Sequence, residues 1–396
     1  MQLEYEDFTE KTREPRLNRP YGSPELINQT VSADDVRDGI RVVVDDEMAF
    51  DAEKIANGTY TPITGFFRKD ELDGTIDKLR LPNGLLWTIP LILAPKTLQS
   101  RIKKGDRVVI TYKNKDIAMV DVDETYHIDK TRIAEGVFGV NNSSHPNVKE
   151  LNENYGDTAI AGKTYLISPP EHVLKRYELT PKEARKRIFG LGFKSVAAFQ
   201  CRNPPHRGHE YMQRAALENA EALFIHPILG KLKVGDYKPE VIYHTYDYFV
   251  NEYFPQDRVL LSPLLISMRY AGPRSAVLYA IIRRNFGCTH FIAGRDMSGV
   301  GNVYNPFAAH KLLKESEVEL NMKFMFFNEI GYCKKCEQTV SDRNCNHPSE
   351  QVKISQTAIR DMLLNGATPP PEMIREDIAK KILEISSALG GPFVTD

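Results

Sequence analysis

The feature that most constrains the fold lies between residues 195 and 327, where five short apolar runs recur with longer amphipathic segments between them. SVAAFQ (195–200), ALFIHPIL (222–229), VLLSPLLI (259–266), HFIAGR (290–295) and FMFF (324–327) have the length and content of buried strands. Helices are expected at 181–189, 206–220, 238–254, 273–286 and 305–315. Strand and helix alternating in this way build a parallel sheet with right-handed crossovers, so the fold class is α/β with a Rossmann-like, doubly wound sheet. Such sheets bind ligands beyond the carboxyl ends of their strands. Polar residues occur along these runs or after them: Gln200, Cys201, Arg202, Asn203, His206 and His209 after the first, His226 within the second, Arg269 after the third, and Gly294, Arg295 and Asp296 at the close of the fourth.

A chain of 396 residues exceeds one ordinary core, so two or three domains are expected. Residues 1–40 read as an irregular arm. RVVV (41–44), LLWTIPLILA (85–94), DRVVITY (106–112), DIAMVDV (116–122) and TYLI (164–167), separated by turn residues, read as strands of a compact, mainly β domain. Pro169-Pro170 is a natural linker. The boundaries drawn are 1–168, 169–330 and 331–396, the last holding a cysteine cluster and helices near 357–364 and 372–387.

With 52 basic and 53 acidic residues the net charge is −1, which gives no field to gather nucleic acid, so any anion must be met by a local cluster. The acidic N-terminus lacks a signal-peptide core, and the longest apolar run is too short to span a bilayer and is broken by Pro90. No membrane partner is expected, and the cytoplasm is the expected location.

QCRNPPHRGHE (200–210) carries the most chemistry. Pro204 and Pro205 must end the strand, and a helix begins near His206. His206 and His209 then share one face of a first helical turn whose amides lack intrahelical acceptors, which suits an anion. Gly208 would let a phosphate approach the backbone, and the Arg202 fork suits a tetrahedral oxyanion. A surface or capping role would account equally for a His pair standing alone.

This segment resembles the HxGH nucleotidyltransferase superfamily, and within it the ATP sulfurylase (sulfate adenylyltransferase) family. ANGTYTPITGFF (56–67), IHPILGKLKVGD (225–236), MRYAGPRSA (268–276), AGRDMSGVG (293–301) and KISQTAIRDML (353–363) extend the resemblance in family order. It implies ATP + sulfate ⇌ adenosine 5′-phosphosulfate + pyrophosphate, with Mg²⁺ accompanying ATP, a PUA-like β-barrel at the N-terminus, and a homo-oligomer. By resemblance, Cys201, Arg202, Asn203, His206 and His209 form the catalytic group, and Gln200, Arg202 and Ser298 hold sulfate, Ser298 through its backbone amide. Gln200, Arg202, Asn203, His206, His209, Gly294, Arg295, Asp296, Met297 and Met325 would line the ATP site. Cys201 stands where the family usually has Thr, Met297 where it has His, and Gln356 where it has Gly.

Sulfate is a dianion with no proton to remove, so the chemistry calls for positioning and fixed positive donors, which Arg202, His206, His209, Arg295 and the helix N-terminus can provide, rather than a general base. Direct in-line attack on the α-phosphorus is expected, with no covalent intermediate. Lys231 and Lys233 are either solvated or a pyrophosphate clamp; Ser355 is a helix cap or a phosphate contact.

Cys333-x2-Cys336-x8-Cys345-x-His347 is an independent signal. Three thiolates and an imidazole form the closed set that structural Zn²⁺ uses; a Cys-x2-Cys redox pair is the competing reading. Cys288 reads as a core thiol. Two other functions were weighed. Another HxGH adenylyltransferase with a phosphorylated acceptor would not account for Arg202-Asn203 and the GRD segment together. An RNA-binding protein would need a basic, aromatic stripe.

Overall fold

The structure, a computed structural model, describes residues 17–98, 101–301 and 303–395; residues 1–16 of the expected arm lie outside them. The first unit contains β1 (Ile40–Val43), α1 (Asp46–Ala56), β2 (Gly65–Phe66), α2 (Lys69–Lys78), β3 (Leu93–Pro95), β4 (Arg107–Tyr112), β5 (Lys115–His127), α3 (Lys130–Ile133), α4 (Pro146–Asn154) and β6 (Tyr155–Leu166). Pairing runs β1-β4-β5-β6-β2, with β3 also on β6, and every pair but β1–β4 is antiparallel. β1 and β2 are the two ends of this path, where a closed barrel would join them.

Two expectations for this unit need correction. It is mixed rather than mainly β, because α1, α2 and α4 pack with the sheet. Helix α1 starts where Asp45 accepts from the Met48 amide at 3.0 Å, and Glu47 to Ala56 are all buried. Its buried face includes Glu47, Asp51, Glu53 and Lys54, so no apolar periodicity marks it in the sequence. Residues 85–94 are not one strand. Only Leu93–Pro95 joins the sheet, while Trp87, Thr88 and Ile89 are buried in an irregular segment whose polar groups bond locally: Trp87 Nε1 donates to the Ile89 carbonyl (2.7 Å) and Thr88 Oγ1 to that of Arg274 (2.6 Å).

The second unit follows the alternation closely: α5 (Pro181–Gly190), β7 (Val196–Phe199), α6 (Arg207–Leu217), β8 (Ala222–Ile225), α7 (Pro239–Tyr253), β9 (Val259–Leu261), α8 (Pro273–Asn285), β10 (His290–Ala293), α9 (Ala308–Leu320) and β11 (Lys323–Phe326). The sheet is parallel throughout, in the order β9-β8-β7-β10-β11. Winding reverses between β7 and β10, paired at Ala197–His290 and Ala198–Phe291, which makes this pair the switch point beyond whose carboxyl ends such sheets bind ligands. The strands then run into QCRN (200–203) and GRDMS (294–298).

The last part adds an antiparallel sheet of β12 (Ile330–Cys333), β13 (Gln338–Ser341) and β14 (Gln351–Lys353), then α10 (Gln356–Leu364) and α11 (Glu376–Ala388). Ser355 caps α10 by accepting from the Ala358 amide. Ile359, Leu363, Ile378 and Ile382 share one apolar cluster with Val241, Tyr246 and Phe249 of α7, so these helices have no separate core.

A buried ionic cluster joins the first two units. Arg269, in the loop after β9, pairs with Glu47 and Asp51 of α1, while Tyr155 donates to Glu47 (2.6 Å) and Tyr60 to Asp51 (3.0 Å). Burial raises the Asp51 carboxyl to about 6 even though Arg269 opposes the shift. Beside the cluster, Lys54 contacts Glu53 at 2.9 Å and Glu178 at 2.8 Å. Removing one partner of a buried pair strands the other charge, at a cost of about 3–5 kcal/mol. Arg269→Ala should therefore lose about that much stability in chemical denaturation; an unchanged midpoint would show that the cluster is dispensable.

Candidate active site

Pro204 and Pro205 end β7 as expected, and His206 takes an extended conformation (φ −130°, ψ 172°) as the N-cap of α6. Its ring folds back over the helix start. Nδ1 accepts from the amides of Gly208 (3.1 Å) and His209 (3.3 Å), and the Arg207 amide donates to the Met373 carbonyl (2.9 Å). The expected row of unpaired amides is therefore absent, because the cap histidine and the 370–375 segment occupy them. Gly208 is explained the same way: a Cβ there would meet His206 Cε1 at 3.1 Å and Nδ1 at 3.2 Å, so glycine leaves room for the capping ring.

These bonds fix the chemistry of His206. A nitrogen that accepts from two amides carries no proton, so the proton sits on Nε2, which is left to donate. His209 stacks on His206 with centroids 3.7 Å apart and planes at 26°, and its Nδ1 lies 3.1 Å from the Tyr246 hydroxyl. Burial lowers His206 to about 3 and holds His209 well below the ordinary imidazole range, the neighbouring His206 adding to that. Both rings are neutral donors at physiological pH, not the positive charges expected from sequence.

The two strand ends face one another. A Cβ on Gly294, at the end of β10, would lie 3.6 Å from the sulfur of Met212, one helical turn beyond His209. The Gln200 amide oxygen, after β7, and the Ser298 hydroxyl, after β10, are both buried without a hydrogen-bond partner. Ser298 has a positive φ of 59°. Both oxygens are therefore free to bond a polar group. Arg295 and Asp296 are exposed, Met297 packs on the core, and Met325 on β11 is half-buried. Asn203 is half-buried in the loop before Pro204.

Arg202 is a largely buried guanidinium. It pairs with Asp236 and lies over the Tyr270 ring, 5.0 Å from its centroid. It opens on a cavity of about 490 Å³ between the two units, lined also by Lys231, Lys233, Ser267 and Tyr270. Sequence reasoning passed over Asp236 and Tyr270, although both lie in the segments that carry the family resemblance.

Four residues singled out from sequence sit elsewhere. Cys201 packs in the core with its thiol pushed up to about 12 by burial, so it offers no reactive thiolate. His226 is fully buried between Phe224 (4.4 Å) and Phe286 (4.6 Å), neither ring nitrogen having a partner. Arg269 belongs to the ionic cluster. Lys231 is held by Glu150 and Asp45 and is not a free clamp. Cys288 is buried, as expected.

The four candidate metal ligands do come together. All donor atoms of Cys333, Cys336, Cys345 and His347 lie within 4.8 Å of one another, with Cys336–Cys345 sulfurs 3.9 Å apart and His347 Nδ1 3.3–3.9 Å from the three sulfurs. Tetrahedral zinc with Zn–S of about 2.3 Å needs ligand edges of about 3.8 Å, so the donor set fits that ion. The module leans on α6: Asn344 Nδ2 donates to the Tyr211 hydroxyl at 2.6 Å. From the other side Arg375 reaches Glu210 of α6 at 2.6 Å.

A parallel sheet with its switch point between β7 and β10, a histidine-capped helix and a buried guanidinium are features that suit an α/β enzyme of the nucleotidyltransferase class. A family model described as ATP-sulfurylase matches residues 175–385, and one described as PUA-like domain matches residues 19–169. The sulfate adenylyltransferase of Hyperthermus butylicus is 40% identical over 377 residues, covering 93% of this chain and 96% of that protein. That of Pyrococcus abyssi is 38% identical, covering 89% and 92%, and that of Trichormus variabilis 37%, covering 86% and 88%. The chain belongs to the ATP-sulfurylase family. Among solved structures, a hexameric APS kinase from Thiobacillus denitrificans shares the fold, with a TM-score of 0.73 and 20% identity over 93% of this chain and 68% of that one. Among the described residues no helix is long and apolar enough to cross a membrane.

The neutral state of His206 has a measurable consequence. An unfolded histidine takes up a proton near about 6.5, whereas the folded ring resists until about 3. Between those values the unfolded chain binds more protons, so stability is full above the unfolded pKa and falls as pH drops below it. His206→Asn keeps a capping side chain and removes the imidazole, so its denaturation midpoint should fall less between about pH 7 and pH 5 than the parent's. An equal fall in both proteins would contradict a neutral His206.

Proposed function

We propose that the chain is a sulfate adenylyltransferase in which sulfate, held at the ends of β7 and β10, attacks the α-phosphorus of Mg²⁺-bound ATP. One sulfate oxygen forms the new bond to phosphorus, the bond to the β-phosphate bridging oxygen breaks, and pyrophosphate leaves with that electron pair. The observation that carries this reading is that a buried Arg202 and a Gln200 with an unpartnered oxygen follow β7, while Ser298 with an unpartnered hydroxyl follows the neighbouring β10, in a chain of this family.

Arg202, with Gln200 and Ser298, holds sulfate; here the Ser298 hydroxyl is the candidate group. His206 donates from Nε2 to the ATP phosphates, and Asn203 and His209 complete those contacts. Gly294 to Met297 and Met325 line the nucleotide. Cys201 contributes backbone only. Neutral imidazoles suit a reaction in which no proton moves: they give directional donors whose state does not change during turnover. A buried site poor in water strengthens each donor against the charge that builds on the phosphoryl oxygens.

Zn²⁺ bound by Cys333, Cys336, Cys345 and His347 would be structural, with no open position, holding β12 and β13 against α6. Units 1–168, 169–330 and 331–396 are the proposed domains. Free cysteines throughout the described residues fit the reducing cytoplasm, and a homo-oligomer fits the family resemblance.

With ATP, sulfate or molybdate should support pyrophosphate release, molybdate continuously because its mixed anhydride hydrolyses. Arg202→Ala should lower kcat/KM for sulfate by at least about a hundredfold, measured at a temperature well below the variant's own melting point because Asp236 loses its partner. Release with neither oxyanion would favour a phosphorylated acceptor. Metal removal should lower the melting temperature, with zinc recovered by elemental analysis; a verified metal-free sample melting like the parent would argue against a structural ion.

A further inference from the structure

The Arg202 guanidinium is held from two directions by groups to which no role has yet been given. Its Nη2 donates to Asp236, whose carboxylate also accepts from the Lys233 amide at 3.3 Å. Its face lies over Tyr270, and Lys233 Nζ sits 5.2 Å from the same ring. A guanidinium has five N–H donors in a plane, and Asp236 engages only one end of it. With the edge fixed by the carboxylate and the tilt fixed by the ring, the remaining donors point one way.

Tyr270 is itself anchored by the other unit. Asn147 of α4 accepts from the Tyr270 amide at 2.8 Å and donates to the Met268 carbonyl at 3.1 Å. The His145 ring lies 3.0 Å from the Tyr270 carbonyl, which also accepts from Tyr304 at 2.9 Å. Asp236 is anchored by the C-terminal segment: the Val394 amide donates to its carbonyl (2.8 Å), and the Gly235 amide donates to Val394 (2.9 Å).

We propose that Tyr270 and Asp236 are positioning residues that aim the Arg202 guanidinium at sulfate, and that Asn147 of the N-terminal unit supports this by clamping the Tyr270 backbone. This rests on the reading that Arg202 holds sulfate.

The test is a kinetic comparison in the full chain, with sulfate and ATP varied separately. Tyr270→Leu removes the ring face and should raise the KM for sulfate about fivefold, with kcat and the KM for ATP held within about twofold. Tyr270→Phe keeps the face and should restore the parent value. Asp236→Asn removes the charge and should raise the sulfate KM about tenfold with the same selectivity. Asn147→Ala should shift sulfate in the same direction by a smaller factor.

A Tyr270→Leu enzyme with an unchanged sulfate KM overturns the proposal. So does a rise shared equally by ATP, because a loosened fold would weaken both substrates. Arg202→Ala is run in parallel to separate the two levels of inference. If it leaves the sulfate KM unchanged, the sulfate role of Arg202 fails; if it raises that KM while Tyr270→Leu and Asp236→Asn do not, only the positioning roles fail.

Discussion

Arg269 placed between Glu47 and Asp51 is the contact on which the relation of the two larger units depends. A guanidinium out of water is tolerated only when its charge is answered, and here both answering carboxylates come from one helix of the other unit. The loop that carries Arg269 also carries Tyr270 and leads into α8. Fixing Arg269 thus fixes the backbone beneath Arg202. Around this point Asn285 donates to the carbonyls of Thr59 (3.0 Å) and Thr61 (2.9 Å), and Arg274 to those of Thr75 (2.9 Å) and Ile76 (2.8 Å). A continuous apolar cluster runs through both units, from Met48 of α1 to Leu320 of α9.

Helix α6 is held with similar redundancy from the third part of the chain. The cysteine–histidine module touches it through Asn344, the 370–375 segment takes the Arg207 amide, and Arg375 closes on Glu210. These supports all fall on residues 207–211, the first turns of the helix that His206 caps. Rigid donors cost no reorganisation as charge develops, so support of the helix and preorganisation of the reaction are one requirement.

Much of the second unit was legible because its central strands β7, β8 and β10 are buried on both faces and read as plain apolar runs. The switch point between β7 and β10 falls where QCRN and GRD end two of those runs. The first unit was less legible. Buried charges on α1 erased its periodicity, and the apolar segment around Trp87 looks like a strand although most of it lacks a partner. At the site, residue types were easier to find than their states. Sequence suggested open amides and charged imidazoles, but the folded-back His206 ring closes the amides and burial keeps the rings neutral. His226 lies within the second apolar run, just past the end of β8, yet it turns inward between phenylalanines. Which way a polar side chain turns at a strand end is decided by neighbours distant in the chain.

The clamp from Asn147 to Tyr270 bears on how such an enzyme can diverge. A domain tethered only by a linker can be exchanged for another by recombination, but here Asn147 of one half holds the backbone of a loop in the other half. A hybrid made from two relatives would have to carry α4 and the MRYAGPR loop from the same parent to keep these bonds. The two halves are thereby bound to a shared history.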